Sequence, residues 1–153
     1  MRRSLLIFVT IIFASVACLA QTEASQKDKK VAATGSQAGF RSSPAYAELL
    51  LKRTELSASL ESLILEYTEE FPKVKEDRFV LTLIDRETDR LSKMKPPDMQ
   101  KLTLALGKLI VRKIELETEL WNLQKNYKDE HPDVKRSKRK VEIYESAIGE
   151  ILN

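Results

Sequence analysis

KRTELSASLESLILEYTEEFPKVK at residues 52–75 and RKIELETELWNLQKNYKDEHPDVK at residues 112–135 are one stretch written twice, 60 positions apart. Nine of the 24 positions are identical: Glu55/Glu115, Leu56/Leu116, Leu60/Leu120, Leu63/Leu123, Tyr67/Tyr127, Glu70/Glu130, Pro72/Pro132, Val74/Val134 and Lys75/Lys135. Unrelated stretches of this length share about one or two, so the chain carries an internal repeat.

Each copy lies on a heptad seam. In the first, Tyr46, Leu49, Arg53, Leu56, Leu60, Leu63 and Tyr67 follow one another at alternating spacings of 3 and 4. In the second, Leu102, Leu106, Leu109, Lys113, Leu116, Leu120, Leu123 and Tyr127 do the same. This spacing predicts one helix per copy, each with a single basic seam member, Arg53 or Lys113. Leu50, Leu51, Ile64 and Leu65 widen the first stripe, which predicts more than one neighbour, as in a bundle. Gly107 interrupts the third helix, the mark of a place where a neighbouring helix packs close.

The prolines divide the helices. Ser43 is placed to cap a helix that opens at Pro44. Pro72 and Pro132 cannot continue the helices before them, so each starts a returning helix after a short turn. The first return buries Val74, Leu81, Ile84 and Leu91, and the second Val134, Val141, Tyr144, Ile148 and Ile151. Arms of matched length joined by short turns make antiparallel hairpins. Pro96 and Pro97 separate the two hairpins, and Pro97 is the expected start of the third helix. The expected fold is all-α: two consecutive antiparallel helical hairpins, at 44–95 and 96–153, packed as a four-helix bundle or extended end to end as in a coiled coil.

Ahead of the hairpins, residues 1–20 show Arg2 and Arg3, an apolar run and then small residues, the layout of a secretory signal peptide cut after Ala20. Two other readings stay open: an uncut N-terminal anchor, and a lipid on Cys18, where Ser15 stands at the position that such a motif gives to a large aliphatic residue. Each puts the body outside the cytoplasm, periplasmic or secreted. Residues 21–43 are small and polar without an apolar period and read as a disordered tether.

Composition narrows the chemistry. The chain has 153 residues, 32% of them charged, with a net charge of +3. Without Arg2 and Arg3 the basic residues number 24 against 23 acidic ones, so no general attraction to nucleic acid is expected. Cys18 is the only cysteine, so a chain cut after Ala20 has neither disulfides nor thiol chemistry. His131 is the only histidine, and its counterpart is Phe71, which reads as a turn position, not a catalytic one. Glu55, Glu115, Glu117 and Glu119 lie among Lys and Arg and read as solvated ion pairs. No cofactor, metal site or enzymatic activity is expected.

The candidate interaction residues are the basic run Lys135, Arg136, Lys138, Arg139 and Lys140, together with Trp121 beside the second seam. The run reads first as a solvated helix start with something acidic nearby, such as Glu130 or a partner, and second as a contact for an anionic lipid or polysaccharide surface. Trp121 reads first as contact between hairpins and second as an anchor for a partner.

The pattern E-L-x-x-x-L-x-x-L-x-x-x-Y-x-x-E-H-P-x-V, complete from Glu115 to Val134, resembles a segment of the extracytoplasmic coiled coil of polysaccharide chain-length determinant proteins, the polysaccharide co-polymerases. The first copy departs from it with Phe71 for the histidine and Lys73 for the aspartate. The resemblance implies a similar hairpin in a similar compartment, the envelope of a Gram-negative bacterium. Together these features predict a non-enzymatic exported protein acting through protein–protein contacts or self-association, accessory to surface polysaccharide assembly or export. The alternative is an anionic-surface module working through residues 135–140, which salt would distinguish.

Overall fold

Pro44, Pro72 and Pro132 each open a helix, because a residue without an N–H costs nothing in the first turn. The computed structural model describes residues 37–153, so the leader at 1–20 and the tether reading at 21–36 lie outside the described residues. Helix α1 spans Pro44–Glu66, α2 Pro72–Ser92, α3 Leu104–Gln124 and α4 Pro132–Leu152. No strand occurs among the described residues. Ser43 caps α1 as expected, its hydroxyl accepting from the Tyr46 N–H at 3.2 Å.

The fold is all-α, built of two helical hairpins, α1–α2 and α3–α4, that pack on each other. Helix α3 is the centre, lying against α1, α2 and α4. Helices α1 and α3 run parallel, since Ala45 meets Gly107 at one level and Lys52 meets Glu115 further along. Both hairpin turns therefore sit at one end of Ala38–Asn153. The opposite end is closed by Lys101, whose Nζ donates to the Leu152 carbonyl at 2.8 Å. The core between the helices is aliphatic: Leu49, Ile84, Leu91, Leu106, Ile110, Ile114 and Ile148 are all essentially fully buried.

The structure departs from the expectations above in three places. The third helix does not start at Pro97. Pro96–Lys101 forms a 3-10 turn instead, and α3 begins at Leu104 under the side chain of Thr103, which accepts from the Leu106 N–H. Leu102 leaves helical geometry there, with ψ 57, and its carbonyl accepts from the Ala45 N–H, tying the break to α1. Second, the last residues of the expected tether are ordered. Residues 38–41 are helical and Phe40 is buried beside Tyr46, ring centroids 4.9 Å apart. Phe40 is the one large apolar side chain in that polar stretch, and burying it offsets the entropy of ordering its neighbours.

The third departure concerns the widened stripe of α1. Leu50, Leu51, Ile64 and Leu65 are not buried; they are 44%, 57%, 45% and 86% exposed. Two neighbours, α2 and α3, cover only one side of α1. The expected burial needed a further helix that the described residues do not supply.

Candidate functional site

The hairpin turns repeat at the level of side chains. Tyr67 stacks on Phe71 at 4.1 Å, and Tyr127 stacks on His131 at 4.2 Å, the same pair 60 positions later. Val74 and Val134, three residues further on, are both fully buried. Arg78 pairs with Glu69, and its counterpart Lys138 pairs with Asp129, so each return helix clamps its own turn with an equivalent salt bridge, to which α2 adds Lys75 with Glu70. His131 caps α4, its Nδ1 accepting from the Asp133 N–H at 3.2 Å. Phe71 cannot make that bond, and α2 starts without a side-chain cap.

The basic run occupies the first turns of α4. Arg136 pairs with Asp133, Lys138 with Asp129 at 2.9 Å, and Arg139 with Glu142 at 2.9 Å. The Arg136 hydrogen bond holds the Asp133 carboxyl below its usual range, and the Lys138 hydrogen bond does the same for Asp129. The acidic neighbours expected for this run are thus local ones. Lys135 and Lys140 are exposed. Trp121 belongs to the contact between the hairpins: it stacks on Phe79 of α2 at 4.5 Å, with Lys125 Nζ 3.2 Å from its ring centroid.

Sequence reasoning missed two clusters. The first is a buried ion network where α2 meets α3. Lys113 Nζ lies 2.7 Å from a Glu87 carboxylate oxygen, and both side chains are 3% exposed. Arg86 and Arg90 approach Glu87 at 3.2 and 3.4 Å, and Arg86 also reaches Glu117 at 2.7 Å. Glu117 is therefore mostly buried in this network and not solvated. The basic seam position of Lys113 was the available signal, since a buried ammonium needs a carboxylate. Its counterpart Arg53 stays at the surface and pairs with Asp85 at 3.0 Å.

The second cluster lines a cleft of about 260 Å³ between α1, α2 and α3. Its charges largely satisfy one another. Lys73 bonds Glu76 at 2.6 Å, Asn122 bonds Glu76 at 2.6 Å, and Lys52 bonds Glu115 at 3.3 Å. Asp77 is fully buried beside the cleft; its Oδ2 accepts from Ser59, and Lys73 Nζ stands 3.0 Å from Oδ1 as an ion pair without hydrogen-bond alignment. The arrangement ties three helices together. Among the described residues no group of His, Cys, Asp and Glu is placed to hold a metal, and no helix is long and apolar enough to cross a membrane.

No protein-family model, no curated protein and no solved structure matches the chain.

The geometry of the two clusters makes stability depend on pH. Burial works to raise the Glu87 carboxyl, but the Lys113 hydrogen bond and the charges of Lys113, Arg86 and Arg90 outweigh it and hold it low. Burial opposes Arg112 and Lys52 in the same way at Glu115, which is also held low. A carboxyl with a depressed folded pKa takes up its proton more readily in the unfolded chain. Its contribution is present above the ordinary carboxylate range and lost as pH falls through the folded value. Urea unfolding of the full chain is expected to show a lower midpoint at pH 3 than at pH 7. Glu87→Gln should flatten that difference, and an equal midpoint for the parent protein at both pH values would contradict the network.

Proposed function

We propose that the chain is a non-enzymatic exported protein of the bacterial envelope that works through protein–protein contacts along its helix faces. The observation that carries this reading is the outer side of α1, where Leu50, Leu51, Ile64 and Leu65 stand in solvent on a helix whose other side is packed. Scattered exposed apolar residues are ordinary, but four on one face of a helix, with Thr54, half-buried Ser57, Ala58 and the carboxylate of Glu61 between them, form a surface of the kind that partners cover. Export rests on the leader reading of residues 1–20. The place beside surface polysaccharide assembly or export rests on the resemblance carried by Glu115 to Val134.

The test is mild cross-linking in the native envelope, followed by capture of the tagged full chain and identification of bound proteins by mass. Recovery of polysaccharide polymerase or export components supports the accessory role. Recovery of no protein at all, under conditions where a known envelope complex is captured, overturns the reading.

The anionic-surface alternative draws on Lys135 and Lys140, which stand exposed beside the paired arginines. Arg136, Lys138 and Arg139 are already engaged by Asp133, Asp129 and Glu142, which leaves little net positive charge on that turn. The double variant Arg136→Glu/Arg139→Glu is expected to bind phosphatidylglycerol vesicles and an acidic polysaccharide as the parent does, in a flotation or sedimentation assay. Strong binding by the parent that falls steeply with salt and disappears in the variant would favour the alternative.

A further inference from the structure

We propose that copies of this chain associate head to tail by repeating the packing between its own two hairpins. The outer face of α4 around Ile143 in one copy seats on the outer face of α1, at Leu50 and Leu51, in the next. The proposal rests on the reading that the helix faces contact protein, and it names the partner as a second copy.

The offset of 60 relates the inner faces of the hairpins to their outer ones. Where the hairpins meet inside one chain, Leu83 of α2 and Ile110 of α3 are buried, and Val111 is half-buried. Sixty positions after Leu83 comes Ile143, which is 53% exposed, and sixty before Ile110 and Val111 come the exposed Leu50 and Leu51. At these positions the second hairpin repeats the face that the first hairpin uses, and the first repeats the face that the second uses. At buried Val80, Ile114 and the Glu87–Lys113 pair the equivalents are Lys140, Thr54 and Ala147 with Arg53, so the outer contact is the more polar of the two.

Charge supports the same docking. Lys52 pairs with Glu115 across the internal contact at 3.3 Å, and the equivalent positions hold Arg112 and Glu55, again opposite in sign, with Arg112 shared between its own Glu115, 2.9 Å away, and the next copy. Phe79 stacks on Trp121, and the equivalents are Arg139 and Glu61, where Arg139 would exchange its own Glu142, 2.9 Å away, for the carboxylate of the next copy. All four equivalents are exposed. The close approach of Ala45 to Gly107 becomes Ala105 to Ala47, small on both sides, with the added methyl setting the helices slightly further apart at that end. A two-fold contact of α1 on α1 would instead bring together the carboxylates of Glu55 and Glu61, because Lys52 and Arg53 are turned toward Glu115 and Asp85. A contact between two different faces is heterologous, so it generates a ring or a filament with all hairpin turns along one edge.

The test is sedimentation of the purified full chain at increasing concentration, with Leu50→Glu and Ile143→Glu as variants at exposed positions. Mass beyond that of a dimer is expected for the parent, falling as salt screens the Arg112–Glu55 and Arg139–Glu61 pairs. Each variant should associate at least ~30-fold more weakly, the loss typical of a charge placed in an interface centre. An equimolar mixture of the two should form a one-to-one dimer and stop there, since one variant keeps an intact α4 face and the other an intact α1 face. Unchanged thermal unfolding shows that both fold; if one does not, Arg139→Glu must weaken association and Glu61→Arg restore it. A parent that stays monomeric, variants that associate as the parent does, or a mixture that stays monomeric overturns the proposal. A monomer that still cross-links to other envelope proteins overturns only this contact; a monomer that cross-links to none overturns the proposed function as well.

Discussion

Replacing Lys113 by alanine lowers the free energy of unfolding by about 3–5 kcal/mol, because it leaves a buried carboxylate without its closest cation. Lys113 and Glu87 are 2.7 Å apart and both are sealed from solvent. Arg86 and Arg90 still reach Glu87 in the variant, which places the loss toward the lower end of that range. The pair itself need not be a net source of stability, since two charges taken out of water give up their hydration. Lys113→Met combined with Glu87→Leu should therefore recover most of what Lys113→Ala loses. Urea unfolding of the three proteins checks this. A double variant no more stable than the single one would show that the network is held for some reason other than charge balance.

The second large effect is at Gly107. A Cβ there would stand 2.9 Å from the Ala45 Cα and 3.0 Å from the Glu48 Cβ. The Ala45 backbone cannot easily retreat, since its N–H bonds the Leu102 carbonyl and it lies one residue inside the start of α1. Gly107→Val is expected to cost about 2–3 kcal/mol by forcing α1 away from α3. Gly107→Ala should cost less, because alanine's better helix propensity, about 1 kcal/mol, offsets part of the clash. Thermal unfolding should rank the proteins Gly, Ala, Val in falling stability. A valine variant as stable as the parent would mean that the hairpins do not meet at this point.

Much of the fold was legible because its causes are local. The repeat, the seams and the helix starts at Pro44, Pro72 and Pro132 follow from spacing and from the missing proline N–H. Gly107 was legible as a close approach because a glycine inside a good helix former needs a reason. The start of α3 was misread, since Pro97 can open a helix, while Thr103 can cap one and does. Ile110 and Ile114 lie off the seam, and their burial depends on the arrival of the first hairpin, which periodicity within one helix does not report. Glu87 sits in a charged run, Asp85 to Arg90, and only tertiary packing selects it as the partner of Lys113. Leu51 and Leu65 show the converse: an apolar stripe states what a helix would bury, not whether a neighbour is present to bury it.

The candidate surfaces divide in the same way. The acidic company expected for the basic run proved to be Asp129, Asp133 and Glu142, within reach on the same hairpin. Trp121 joins the hairpins through Phe79, the first of its two readings. The outer face of α1 became a candidate only when its exposure was seen.

The most direct test of contact through helix faces is photo-cross-linking in living cells, with a photoreactive amino acid placed singly at Leu51, Leu65, Ile143, Asp89 and Glu130. All five positions are exposed. The account predicts protein adducts from Leu51, Leu65 and Ile143 and few from Asp89 and Glu130. Equal adducts from all five, or adducts confined to Asp89 and Glu130, would contradict it.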